Sequence, residues 1–261
     1  MTIIVGVKCT DGVVIGADSV ATSSHGSHRL IQIISDDKIN IVGGKVIIAC
    51  SGAVGLSQRF QGIVATAWQQ KSFQKPIAEC LRDITRDSVQ DFERTGVPRY
   101  PPQQGGLGFG ALMTCPIGGV AELIEFGSLD FQPEIKKDQL HFVAIGSGQV
   151  LADPFLAFVS RVLWGGKPPA VQMGAFGLYW VLSHTIQYAP GGVGRPIKIA
   201  VLKKEKGEWV ARSVEGDELQ EQEQHVAEIE KRIAEYPKAV IETTETTPPP
   251  EPPPPRRKGN P

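Results

Sequence analysis

No run of about 18 consecutive apolar residues occurs in the chain, which removes a transmembrane helix from consideration. Charge of one sign is also missing. Lysine and arginine number 27 against 28 acidic residues, so no whole-protein field exists to recruit nucleic acid or an anionic membrane. Cysteine is sparse, and Cys9, Cys50, Cys80 and Cys115 have no paired spacing, which excludes a disulfide framework and a cysteine-based zinc site and makes a reducing compartment the default. The opening MTIIVGVKCTDGVV has no basic stretch followed by an apolar one and a cleavage site, so the expectation is a soluble, cytoplasmic protein. The G-x-S-x-G elbow, the P-loop and H-E-x-x-H are all absent. Against these absences, 41% hydrophobic and 21% charged residues over 261 positions are ordinary globular proportions with enough length for a real core.

The chain opens with two short β-branched runs, residues 3–8 and 13–18, separated by Thr10-Asp11-Gly12, which predicts a hairpin. Further strands are expected at 39–42, 46–51, 109–114, 120–126, 141–145 and 197–202, many of them apolar on both faces of the pleat and so buried on each side. Leu56, Phe60, Ile63, Val64 and Ala67 form one apolar stripe at helical spacing within 56–70. A second helix is expected at 77–94, with Pro76 at its start and Gly96 past its end. Two more are expected at 150–163 and 170–188. Strands and helices thus come in segregated runs, which argues for α+β layers rather than an alternating parallel sheet.

Past Val210 the composition shifts. Residues 217–236 read as a highly charged helix whose apolar seam, Leu219, Val226, Ile229, Ile233 and Tyr236, is consistent with a helix docked on its own domain or with a subunit contact. Residues 243–261 hold eight of the chain's 20 prolines and no Leu, Ile, Val or aromatic side chain, the composition of an extended tail, ending near the basic cluster Arg256-Arg257-Lys258. The expected division is a main domain over 1–212, a charged helix over 213–240 and a proline-rich disordered tail over 241–261. His25-Gly26-Ser27-His28 reads as a polar turn, with no third ligand to make it a metal site.

Thr2 directly follows the initiator methionine and directly precedes an apolar strand. A small second residue permits removal of Met1, which would leave a threonine with a hydroxyl nucleophile and a free α-amine whose ordinary pKa of about 7.7–8.0 suits a base. By position alone the better reading of Thr2 is an exposed second residue of no consequence. The rest of the sequence decides: Val14-Ile-Gly-Ala-Asp18-Ser19, then Lys38 in DDKINIV, then Cys50-Ser51-Gly52-Ala53, then Ile145-Gly146-Ser147-Gly148. In this order and spacing, over about residues 2–203, the chain resembles the β subunits of proteasomes, of the bacterial proteasome-like type, and more broadly the N-terminal-nucleophile hydrolases.

That resemblance implies a four-layer αββα sandwich, with two antiparallel sheets face to face and a helix pair on each outer face. It implies Thr2 as nucleophile, Lys38 as the catalytic lysine, Asp18 as its partner carboxylate, the Gly52 N–H as oxyanion donor, and Ser147 as the group that orients the terminal amine. Ala21, Asp36, Asn40, Cys50 and Val54 would line the pocket for the side chain before the scissile bond, although Cys50 and Val54 read equally well as core residues. The implied activity is hydrolysis of peptide amide bonds without metal or organic cofactor. The implied partners are a peptide or unfolded-protein substrate and further copies of the chain in a homo-oligomeric ring, with an ATPase partner left open.

Two departures from the family pattern stand out. The 18–38 segment is a few residues longer than usual. Where the family has an aspartate and a serine after the fourth helix, this chain has Gln187, which carries no charge, and Pro190, which donates nothing. A catalytically silent scaffold subunit is therefore one alternative, and a small-molecule amidase of the same superfamily another.

Overall fold

The computed structural model describes residues 2–25, 28–34, 38–95, 107–189 and 191–245. The predicted hairpin is present as β1 (Ile4–Lys8) and β2 (Gly12–Ala17), antiparallel with Ile4 opposite Ala17, its turn closed by the Cys9 N–H donating to the Gly12 carbonyl. β10 (Phe142–Ile145) flanks β1, while β11 (Lys198–Glu205) and β12 (Glu208–Val214) continue the sheet beyond β2, in the order β10-β1-β2-β11-β12. A second antiparallel sheet is built from β5 (Ile39–Val42), β6 (Val46–Gly52), β7 (Phe109–Ile117), β8 (Val120–Phe126) and β9 (Pro133–Ile135) in sequence order.

Burial on both faces of the strands follows from three apolar clusters. Ile4, Val13 and Ile15 of the first sheet meet Ile47, Leu112 and Leu123 of the second. On the other face of the second sheet, Val46, Ile48 and Met113 pack against α1 (Val54–Gln69) and α2 (Ile77–Arg94). The outer face of the first sheet, through Val5, Val7 and Val14, packs against α3 (Gln149–Leu163) and α4 (Val171–Tyr188). Each fully buried Leu, Ile or Phe removed from water stabilises the fold by about 1.5–3 kcal/mol, so these strands are held chiefly by what covers them.

The expected four-layer αββα sandwich is corrected by this arrangement. Among the described residues a separate two-stranded ribbon and a fifth α-helix stand outside the two five-stranded sheets and the four helices packed on them. β3 (Val20–His25) and β4 (His28–Ile34) pair only with each other, as a separate two-stranded ribbon in the stretch whose His25–His28 tip was expected to be a polar turn. The fifth helix, α5 (Asp217–Glu245), lies against α4: Leu219, Val226 and Ile229 join the α3–α4 cluster, whereas Ile233 and Tyr236 on the same seam are 51% and 70% exposed. Residues 246–261 of the proline-rich segment lie outside the described residues.

Phe60 of α1 shows how strongly one side chain can hold this core. It is fully buried, with its ring edge-on to Phe126 and Phe131 at centroid distances of 5.0 and 5.3 Å and to Phe109 at 6.2 Å. Phe60→Ala should cost about 3–5 kcal/mol, combining lost transfer energy with a cavity that the surrounding rings cannot collapse into. Chemical denaturation with an unchanged slope would register this loss. A loss below about 1 kcal/mol would show that the aromatic nest repacks.

Candidate active site

The start of β1 and the end of β2 lie side by side, and this register places Asp18 opposite Ile3. Backbone bonds close the pairing: the Ile3 N–H donates to Asp18 Oδ1 at 3.0 Å and the Asp18 N–H donates to the Ile3 carbonyl at 3.2 Å. Asp18 is completely buried. A carboxylate there is tolerable only if every lone pair finds a donor. Oδ1 also accepts Lys38 Nζ at 2.6 Å, and Oδ2 accepts the N–H groups of Val20 at 3.1 Å and Gly194 at 3.2 Å. Lys38 sits one residue before β5 with its side chain 9% exposed, tied to β6 by the Cys50 N–H donating to its carbonyl. Burial lowers the Lys38 pKa below the ordinary lysine value, opposed by the charge and hydrogen bond of Asp18.

Thr2 is half-buried one residue before this pair. Its backbone nitrogen donates to Ser147 Oγ at 3.1 Å, and its carbonyl accepts the Gly148 N–H at 3.1 Å. Gly146 makes that approach possible. Its φ is +96°, and a Cβ there would fall 2.4 Å from the Thr2 carbonyl oxygen and 3.0 Å from Ser51 Oγ. Ser51, the penultimate residue of β6, therefore comes up beside Thr2, and Gly52 follows it at the strand's end. Gly52 is exposed, with φ +111°, and any Cβ would strike the Gly108 carbonyl at 2.1 Å. Just beyond it α1 begins with Ala53 as N-cap, no side-chain cap bond and no acidic residue in its first turn. The positive end of that helix faces the strand end uncompensated, which favours developing negative charge.

Of the residues expected at the site, the structure links Thr2, Asp18, Lys38 and Ser147 through bonds of 3.2 Å or less, with Gly52 carried alongside by Ser51. Residues expected in the substrate pocket are more dispersed. Ala21 is half-buried on β3; Asn40 is exposed on β5 with Nδ2 donating to Gln61 Oε1 at 3.4 Å; Val54 is 63% exposed in the first turn of α1. Cys50 points into the α1–α2 cluster, where burial pushes its thiol up to about 12, so it offers no thiolate to chemistry. Asp36 lies outside the described residues, as does Pro190; Gln187 is exposed at the end of α4.

Two contributors were not anticipated. Ser51 falls within the Cys50–Ala53 motif but had no role assigned to it, and its place beside Thr2 follows from the Gly146 approach. Gly194 supplies a donor to Asp18 across 176 residues, and its carbonyl accepts the Ser19 N–H at 3.0 Å. The glycines around it, Gly191 and Gly192, both at positive φ, were the available signal of a tightly placed backbone. Among the described residues no group of three or more His, Cys, Asp or Glu side chains is placed to hold a metal ion, and no helix is long and apolar enough to cross a membrane.

No family model and no curated protein matches the chain. Among solved structures it is similar to Anbu, as a Gly-1 mutant, from Hyphomicrobium sp. strain MC1, with a TM-score of 0.65 at 14% identity over 94% of this chain and 100% of that one. The likeness is one of fold, and the fold is proteasome-like.

Proposed function

We propose that the chain is an N-terminal-nucleophile hydrolase that cleaves peptide amide bonds with Thr2. The observation that carries this reading is the position of the Thr2 backbone nitrogen, held by Ser147 and one residue from a buried, hydrogen-bonded Asp18–Lys38 pair. Once Met1 is removed, that nitrogen is an α-amine. Thr2 Oγ attacks the substrate carbonyl while its proton passes to the amine, directly or through a water held at Ser147. The oxyanion forms against the Gly52 N–H and the positive end of α1. Collapse breaks the C–N bond, the departing amine takes the proton back from the ammonium, and an ester of Thr2 remains. Water attacks that ester, giving its proton to the α-amine, and the acid leaves as Oγ is reprotonated. Lys38 contributes a positive charge near the nucleophile, which favours its alkoxide character, and Asp18 keeps that charge in place.

A second reading, a silent scaffold subunit, is supported by Gln187, exposed and uncharged where the resembling family carries an aspartate. Treatment with a β-lactone or epoxyketone, followed by intact mass and N-terminal sequencing, separates the two. The hydrolase gives one adduct on a chain beginning at Thr2, whereas a chain that begins at Thr2 and stays unmodified is a scaffold. A homo-oligomeric ring belongs to the same proposal, since a ring would enclose a site that otherwise faces solvent. Light scattering at micromolar concentration should then give a particle several times the 28.2 kDa chain mass, and a stable monomer would remove the ring.

A further inference from the structure

An outer helix of a layered protein ordinarily turns its charged side to water, and α3 does not. Along its outward side Val150, Pro154, Phe158 and Val162 form one ridge at a spacing of four residues, with Val150 81%, Phe158 36% and Val162 53% exposed. Arg161 is the only exposed charged residue of this helix. By contrast α2, which covers the other sheet, exposes Arg82, Arg86, Asp87 and Gln90. Aromatic rings extend the apolar side of α3 toward α4: Phe158 stacks on Phe155 at 5.8 Å, Phe155 on His184 at 4.3 Å, and His184 lies 4.7 Å from Tyr188. A contiguous apolar surface of this kind marks an interaction site. Pro154 adds an independent sign. Proline is the least favourable residue inside a helix, where it forfeits a backbone bond, so the needs of α3 itself do not account for it.

We propose that this ridge is a two-fold contact, in which α3 packs antiparallel against α3 of a second copy of the chain about a point level with Leu156. The internal symmetry of the ridge identifies the occupant. Reversal about position 156 exchanges Val150 with Val162 and Pro154 with Phe158, so valine meets valine and the flat proline ring meets the phenyl ring. A two-fold contact requires such a pattern, because residue i of one copy touches j of the other while j touches i. The spacing agrees as well. Two ridges at i±4n interdigitate in the commonest class of helix crossing, at about −50° with axes about 8–10 Å apart. Charge is placed compatibly: Arg161 is five residues from the centre, so the two copies of it stand about 15 Å apart along the helix direction, beyond the screening length of about 8 Å in physiological salt. A partner of another kind would call for none of this symmetry. A ring closes through head-to-tail contacts between unlike surfaces, so the two-fold contact is additional to the ring and does not rest on the chemistry at Thr2.

All four native cysteines are buried, so thiols introduced on the ridge are the accessible ones. A chain carrying Val150→Cys and Val162→Cys together, treated with a short bismaleimide at micromolar concentration, should give at least about tenfold more covalent dimer than either single variant. In a single variant the two introduced thiols stand about 18 Å apart, at opposite ends of the contact. Adding Pro154→Glu to the double variant should remove the cross-link, because it sets a carboxylate against an apolar ring in the seam. The same change replaces a helix breaker with a helix former, so a lost cross-link is not lost folding. Equal yields from a single variant would overturn the antiparallel pairing. No covalent dimer from the double variant, or a cross-link that survives Pro154→Glu, would overturn the contact itself. Each of these failures leaves probe labelling at Thr2, and with it the hydrolase reading, untouched.

Discussion

Thr2→Ala should reduce peptide turnover by at least about 10³-fold and abolish covalent labelling by threonine-directed probes, because it removes the attacking hydroxyl along with the γ-methyl. Folding and assembly should be unchanged. The contacts that Thr2 makes in the structure are backbone ones, to Ser147 Oγ and to the Gly148 N–H, and alanine keeps both. Thr2→Ser should retain part of the activity, since hydroxyl and amine survive and only the methyl that restricts the rotamer is lost. The most discriminating comparison leaves Thr2 in place: a chain with a non-removable residue before it should be silent, because an amide nitrogen cannot take the nucleophile's proton. An ordinary serine or cysteine hydrolase would not respond to such an extension. Undiminished turnover in Thr2→Ala, or in the extended chain, would eliminate the mechanism and leave the scaffold reading.

Substitution of either member of the Asp18–Lys38 pair should cost stability, because each leaves the other buried without its counter-charge. Asp18→Asn should destabilise the protein by about 3–5 kcal/mol, the cost of stranding a buried charge. Asparagine worsens matters geometrically. If its oxygen faces the Ile3 N–H and Lys38, its amide group confronts the Val20 and Gly194 N–H groups, donor against donor. Lys38→Met should also destabilise the fold, since Asp18 keeps three backbone donors but its completely buried carboxylate loses its counter-charge, while activity falls by about 10²–10⁴-fold. Thermal melts alongside kcat measure both effects, and an Asp18→Asn protein as stable as wild type would contradict the role of these four contacts.

The same pair has a pH signature. Burial lowers the folded-state pKa of Lys38, so above that value the unfolded chain binds more protons than the folded one, and stability rises with pH up to the ordinary lysine value of 10.5. Below the folded-state value both states carry the proton, and there the ammonium's burial is a full cost to folding. Lys38→Met should flatten the alkaline rise in stability. A charge kept at such a cost beside Thr2 supports a chemical rather than a structural reason for it.

Local chemistry made part of this architecture legible from the sequence alone. Thr10-Asp11-Gly12 between two β-branched runs specifies the β1–β2 hairpin, and Pro76 ahead of an amphipathic stretch marks α2, whose bounds coincide with those expected, Ile77–Arg94. Thr2, Asp18, Lys38 and Ser147 could be nominated together because their motifs have a recognisable order; in the structure Thr2 bonds Ser147 while the next residue, Ile3, bonds Asp18 of the Asp18–Lys38 pair. The ribbon β3–β4 was not legible: its polar Ser and His residues resemble a loop, and its pairing is with itself rather than with a sheet. Nor was the surrounding of α4, whose weak amphipathicity becomes intelligible once α5 covers the side turned away from the sheet. Only tertiary structure decided that Cys50 faces the core, that Ser51 reaches the Thr2 carbonyl region, and that Gly194 completes the shell of Asp18 from 176 residues away. Turn chemistry and periodicity act over a few residues and are written in the chain itself. The donors that make a buried carboxylate tolerable are assembled by sheet register and packing between segments with no sequence relation to one another.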